Sequence, residues 1–259
     1  MATFLWSDIV FGPIHSRRVG TSLGINLLPV NGKLCSFDCI YCECGTMSSG
    51  APRKDRKMPT LAQVSAAMSR RFKELHDEGV KVDSISFTGN GEPTLNKDFP
   101  EIIDKTVELR DKYFPSAVIS VFSNSTTLEK RGVFEALMKV DNRIMKVDCS
   151  DEQLLNVINK PSGTYRLERV LKNLERFNGD FILQTMFFKG SVDGCEFDLT
   201  SPELVAGWSD IVRRLRPAKV MAYSLDRDTP VAGLMKIPKE RLQEVTAPLR
   251  DEGFEIEIF

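Results

Sequence analysis

Three cysteines in one short loop, Cys35-Ser-Phe-Asp-Cys39-Ile-Tyr-Cys42, constrain this chain more than any other feature. The spacing is C-x3-C-x2-C. Thiolates this closely spaced are metal ligands, and a [4Fe–4S] cube has four irons. Three cysteine ligands leave one iron open to take up a substrate or a cofactor. That separates the loop from a four-ligand electron-transfer cluster and from a closed zinc site. Cys44 extends the pattern to C-x3-C-x2-C-x-C, so a structural zinc site stays open at this level. A disulfide framework suits short secreted chains. This chain has 259 residues and begins Met1-Ala-Thr-Phe-Leu-Trp6, with neither a basic stretch nor a long apolar run.

The length suits one large α/β domain, and a hydrophobic content of 42% supports a sizeable core. The formal net charge is −1, so no overall field favours nucleic acid or an anionic membrane. No apolar run is long enough for a membrane span. Free thiols without an export signal lead us to expect a cytoplasmic protein. The basic runs Arg53-Lys54-Asp55-Arg56-Lys57, Arg70-Arg71 and Arg213-Arg214 read as solvated faces.

Short β-like runs alternate with amphipathic helical patterns. Strands are expected at 22–28, 82–88, 117–123, 143–149, 180–188 and 218–224. Thr60-Leu-Ala-Gln63 is a capping-box signature. Leu61, Val64, Met68, Phe72 and Leu75 then keep helical spacing until Gly79. Further helices are expected from 98, over 128–138, 152–159 and 165–177, from 201, and over 239–251, with a short strand at 255–259. Alternating β and α argue a parallel sheet with right-handed crossovers. Six units predict a partial (β/α)6 barrel with a short C-terminal βα-like extension. We expect a single domain over 1–259: an N-terminal segment 1–21, a barrel core 22–224 and an extension 225–259. Chemistry in such folds sits at the C-terminal ends of the strands, where the cysteine loop follows the first strand.

A second motif, Thr88-Gly89-Asn90-Gly91-Glu92-Pro93, follows the second expected strand. Its glycines permit close backbone approach and positive φ, and its carboxylate can accept from a ligand ammonium. Alone it also fits a simple strand-to-helix turn. The cysteine loop one βα unit earlier makes the pair specific.

With these motifs the chain resembles the radical S-adenosylmethionine (SAM) superfamily over nearly its whole length. The resemblance rests on Cys35, Cys39 and Cys42, on Tyr41 just before the third cysteine, on Gly89 to Pro93, and on Ser123-Asn124 after the third strand. It implies a [4Fe–4S] cluster on the three cysteines whose open iron chelates SAM. Reductive cleavage would give methionine and a 5′-deoxyadenosyl radical that abstracts hydrogen from substrate under anaerobic conditions. It also implies a low-potential electron donor such as flavodoxin or ferredoxin. By the same match Glu92, on the Gly89-Asn90-Gly91-Glu92-Pro93 turn, would accept from the methionine ammonium, and Tyr41 would lie against adenine. Ser123 and Asn124 would face the carboxylate or ribose, with Lys146 and Asp148 as further contacts. Asn90 departs from the common Gly-Gly-Glu-Pro and is compatible with the turn, because Asn tolerates left-handed backbone.

More narrowly, Phe11-Gly-Pro-Ile-His-Ser-Arg-Arg-Val-Gly20 and Tyr223-Ser-Leu-Asp-Arg227 look like a small branch loosely grouped with tRNA wyosine-synthase-like proteins. The chain shows no flavodoxin-like domain and no strongly basic surface, so that reaction is not carried over.

Cys44, Cys149 and Cys195 lack a dense ligand motif. Cys149, at a strand end, is a candidate thiyl hydrogen donor, though buried inert thiols are the readier account of Cys149 and Cys195. His15, Arg17 and Arg18 are candidates for an anionic substrate, against packing of the N-terminal segment. His76 reads as a surface residue near a helix end. The favoured function is a radical SAM enzyme acting on a small molecule or nucleotide. A glycyl-radical activase or peptide-modifying maturase is the alternative, and a non-catalytic iron–sulfur or zinc protein the second.

Overall fold

The structure is a computed structural model and describes residues 4–16 and 19–259. Arg17 and Arg18 therefore lie outside the described residues. By contact density the chain divides into two compact units: residues 4–36 with 47–143, and residues 37–46 with 144–259. The cysteine loop is shared between them, Cys35 in the first and Cys39 and Cys42 in the second.

The first unit is built on β1 (Val10–Ser16), β2 (Gly20–Ile25), β3 (Ser84–Phe87) and β4 (Val118–Ser123). β2, β3 and β4 are parallel neighbours, as alternation with helices requires. Between them run α1 (Leu61–Asp77) and α2 (Phe99–Tyr113), with α3 (Arg131–Leu137) after β4. The capping box on α1 is formed as the sequence predicts, and Val64, Met68, Phe72 and Leu75 are its buried stripe. Asp98 precedes α2 but does not cap it with its side chain. Its carboxylate instead accepts from Leu61 N at the start of α1, at 3.0 Å, where a helix N-terminus favours negative charge.

The N-terminal segment differs from expectation. β1 pairs antiparallel with β2, although Gly12-Pro13 reads as a strand breaker. The register shifts between Phe11 and Ile14, and such an irregularity is where a strand can carry a proline. The interior of this sheet also holds a line of hydroxyls. Ser22 donates to Ser86 at 2.8 Å, and Ser84 lies 3.0 Å from Ser86 and 3.1 Å from Ser120, all buried. Each hydroxyl satisfies its neighbour, which is the condition for burying it.

The second unit holds β5 (Asn142–Lys146, entering the unit at Ile144), β6 (Ile182–Met186), β9 (Lys219–Tyr223) and β11 (Ile256–Ile258). They are parallel in the order β5-β6-β9-β11. Its helices are α4 (Glu152–Asn159), α5 (Leu167–Glu175), α6 (Pro202–Leu215) and α7 (Lys239–Asp251). Trp208, Ile211, Val212 and Leu215 form the buried stripe of α6, and Trp208 Nε1 donates to Thr185 Oγ1 at 2.9 Å. Ser201 does not cap α6 with its side chain, and Pro202 starts the helix.

All six expected core strands form. The sequence reading missed a second sheet of β7 (Phe188–Val192), β8 (Cys195–Asp198) and β10 (Met235–Lys236), ordered β10-β7-β8. Asp193 and Gly194 join β7 to β8 with φ of 52° and 79°. Asp-Gly is a strong short-range hairpin signal, and it was present in the sequence. Among the described residues no helix is long and apolar enough to cross a membrane.

Candidate functional site

In the first unit the glycine-flanked turn and the segment leading to Cys35 are tied backbone to backbone. Leu34 N donates to Asn90 O at 2.9 Å, and Glu92 N donates to Leu34 O at 3.2 Å. A Cβ on Gly91 would sit 2.0 Å from Leu34 O, and Gly91 has φ of 142°. Only glycine allows that approach. Gly89 is equally constrained, with φ of 150° and a Cβ position 2.3 Å from Asn26 Oδ1.

The turn delivers Glu92 to the C-terminal end of β4. Its carboxylate is buried and accepts from Thr94 Oγ1 at 2.5 Å, Thr94 N at 3.2 Å, Ser123 Oγ at 3.0 Å and Asn124 N at 2.7 Å. These four donors are neutral. Burial pushes the Glu92 carboxyl up, against the lowering effect of its hydrogen bonds. A buried carboxylate so arranged is an acceptor prepared for a cationic group. Asn124 also turns its side-chain amide to Cys35 Sγ at 3.4 Å and to Ser36 Oγ at 2.8 Å. Ser123, Asn124, Glu92 and Cys35, predicted separately, are thus joined. Pro93 opens the short 3-10 turn Pro93–Leu95 and is buried there.

Asn90 has a role that its place in the motif did not suggest. Its amide donates to Trp6 O at 2.9 Å and accepts from Trp6 N at 2.8 Å. It also donates to Pro29 O at 2.8 Å. Trp6 stacks on Phe11 with centroids 3.7 Å apart. Arg56, expected on a solvated face, is buried and donates to the carbonyls of Ala51, Lys33 and Ser49 at 2.7, 2.5 and 2.7 Å. It staples the loop beyond the cysteines to the residue two before Cys35. Asn26 Nδ2 is buried without a hydrogen-bond partner.

In the second unit Cys39, Tyr41, Lys146 and Asp148 are drawn together, and Asn159 joins them. Asp148 Oδ2 accepts from Tyr41 Oη at 2.5 Å, Lys146 Nζ at 2.8 Å and Asn159 Nδ2 at 2.9 Å. Asp148 Oδ1 accepts from Met186 N at 3.3 Å. Lys146 Nζ also lies 2.9 Å from Tyr41 Oη. Burial and the Asp148 charge hold the Tyr41 phenol well above its ordinary value. Burial works to lower the Lys146 ammonium, but the Asp148 and Cys39 charges raise it overall. Asn159 escaped the sequence reading because it closes an ordinary amphipathic helix, and nothing local marks it.

Cys149 is buried and donates to Asp151 O at 3.5 Å. Burial pushes its thiol up to about 12. Cys195, expected to be buried, is instead half-buried in the short strand β8, and Cys44 is half-buried too. No disulfide joins the described cysteines. His15 is exposed on β1 opposite Thr21. His76, in the last turn of α1, bonds Tyr113 O at 3.0 Å, in keeping with a surface role.

A cavity of about 490 Å³ opens in the loop after β9, lined by Leu225, Asp226, Arg227, Asp228, Leu234 and Lys236 among others. Arg227 pairs with Glu43, next to Cys42, at 2.8 Å. Val231 N donates to Ile40 O at 3.4 Å. The cavity wall is therefore fastened to the cysteine loop within one unit.

The family model of the radical SAM superfamily matches residues 32–193, a span that holds all three loop cysteines, Glu92, Asn124 and Lys146. The chain belongs to the radical SAM superfamily. The UPF0026 protein MJ1312 of Methanocaldococcus jannaschii is 32% identical over 217 residues, covering 82% of this chain and 61% of that protein. The chain thus spans about three fifths of that relative's length. Among solved structures, a radical SAM methyltransferase from Sphaerobacter thermophilus superposes with a TM-score of 0.65 at 15% identity, covering 92% of this chain and 65% of that one. Streptococcus suis SuiB, bound to S-adenosylmethionine, superposes with a TM-score of 0.58 at 16% identity, covering 91% of this chain and 46% of that one. Bound to its precursor peptide SuiA, the same protein gives 0.64 at 17% identity, covering 91% and 48%. At these identities the likeness carries the fold: an α/β architecture with a parallel sheet of the radical SAM type.

Proposed function

We propose that the chain is a radical SAM enzyme in which Cys35, Cys39 and Cys42 hold a [4Fe–4S] cluster and Glu92 receives the methionine ammonium of SAM. The observation that carries this reading is the buried Glu92 carboxylate, met by four neutral donors and, among the described residues, by no cation. An ammonium would relieve the unfavourable burial of that charge. The donor set suits the cluster as well: three cysteines of C-x3-C-x2-C spacing, none in a disulfide, two of them facing side-chain amides. One electron passed through the cluster to the sulfonium of SAM is the chemistry the pair supplies when bound, giving methionine and a 5′-deoxyadenosyl radical.

The protein's own groups have positioning tasks. Gly91 lets the Glu92 turn approach the Cys35 segment. Ser123 and Asn124 orient Glu92 and stand ready for the carboxylate or ribose of SAM. Tyr41 is the adenine-side residue, fixed through its hydroxyl by Asp148 and Lys146. Cys149 is the candidate hydrogen-atom donor. A small molecule or nucleotide is the favoured substrate class, and the volume of the open cavity beside the cysteine loop is compatible with it, small-molecule sites spanning roughly 300–1,000 Å³. A low-potential flavodoxin or ferredoxin would supply the electron, and a reducing cytoplasm would suit the cluster.

Anaerobic reconstitution tests the ligand set. Wild type should take up about four irons, as expected for one cube, and Cys44→Ala should match it. The triple variant Cys35→Ala/Cys39→Ala/Cys42→Ala should lose the iron, and full iron in that variant would sink the assignment.

A further inference from the structure

We infer that Lys146 and Asn159 set the reduction potential of the cluster by placing a cation and an amide N–H on the sulfur of Cys39, with Asp148 as the opposing charge. The inference rests on the proposed ligand set. Lys146 Nζ lies 3.8 Å from Cys39 Sγ, and Asn159 Nδ2 lies 3.5 Å from it. Both donors are anchored to the same carboxylate oxygen, Asp148 Oδ2, at 2.8 and 2.9 Å. The side chain of Lys146 is 9% exposed and that of Asp148 0%. Lys146 is held in place further by the faces of Phe37 and Tyr41, with ring centroids at 4.8 and 5.5 Å.

The physical consequence has a definite sign. A cluster gains one negative charge when it is reduced. Hydrogen bonds and positive charge at its cysteine sulfurs favour the reduced form and raise the potential. Lys146 and Asp148 are buried, so the charge acts with little screening. Asp148 opposes Lys146, and removing either charge alone should move the potential in opposite directions. Cys35 meets a neutral amide from Asn124 at 3.4 Å. Cys39 meets the Lys146 ammonium as well as an amide. Lys146 and Asn159 are accordingly positioning residues that act through the cysteine.

The test is a potentiometric titration of the reconstituted protein, followed by the electron paramagnetic resonance (EPR) signal of the reduced cluster. Lys146→Met and Asn159→Leu should titrate at more negative potential than wild type, Lys146→Met the further. Asp148→Asn should titrate at more positive potential. Lys146→Arg keeps the charge and should remain close to wild type. A structural role would lower iron content without ordering the midpoints by charge. Unchanged midpoints in iron-replete Lys146→Met and Asp148→Asn would overturn the inference while leaving the ligand assignment intact. Should Lys146→Met fail to fold, Asn159→Leu and Asp148→Asn carry the same two opposite signs. Absence of a cluster in wild type would overturn the ligand assignment, and the inference with it.

Discussion

Asn124 holds Glu92 with its backbone and reaches Cys35 with its side chain: the N–H donates to the Glu92 carboxylate at 2.7 Å, and the amide lies 3.4 Å from Cys35 Sγ. One residue at the end of β4 thus fixes a carboxylate and a thiol that lie far apart in sequence. Both contacts come from backbone position as much as side-chain type, since Asn124 directly follows the strand.

Glu92→Gln should weaken SAM binding without loss of iron. The charge-assisted bond to an ammonium is worth about 1.5–3 kcal/mol, or roughly 10- to 150-fold in Kd. Anaerobic equilibrium binding of SAM checks this. Equal affinity in variant and wild type would remove Glu92 from the cofactor site.

Asn90→Gly should free the N-terminal segment while leaving the turn intact. The substitution removes the paired bonds to Trp6 and the bond to Pro29, each worth about 1 kcal/mol. The chain has 2 tryptophans, and Trp208 is buried, so a rise in the iodide-quenchable fluorescence should report Trp6. Quenching identical to wild type would show that Asn90 does not anchor the segment.

Cys149 should resist alkylation in the folded protein. Its thiol is pushed up to about 12, and the thiolate is the nucleophile. At pH 8 iodoacetamide should modify half-buried Cys195 well before Cys149, as read by peptide mass spectrometry. Labelling of Cys149 should rise as pH approaches its pKa or on unfolding. Equal rates at pH 8 would contradict the burial argument.

The sequence was most legible where a residue type is forced by local geometry. The cysteine spacing, Gly91 beside Leu34, and the capping box at Thr60 and Gln63 each left a short-range mark. The core strands read as apolar runs. The partners of the site residues did not read so well. Asn159 reaches Asp148 and Cys39 from the end of α4, and Arg56 reaches the Lys33 carbonyl from a run of charges. Both are long-range contacts whose residue types are ordinary where they stand. β1 lay in the 1–21 segment, for which no element was expected, and Gly12-Pro13 sits where its register is irregular. The β7–β8 hairpin was hidden differently, because its Asp193-Gly194 signal lay in a stretch given no element.

The central claim is that a cluster on Cys35, Cys39 and Cys42 takes SAM at an open iron and that Glu92 receives its ammonium. EPR of the iron-replete, dithionite-reduced protein with and without saturating SAM tests it most directly, because the signal reports on the iron itself and needs no substrate. The account predicts a SAM-dependent change of the signal in wild type and in Cys44→Ala, and at the same SAM concentration a weaker change in Glu92→Gln. Identical spectra with and without SAM in iron-replete wild type would contradict it.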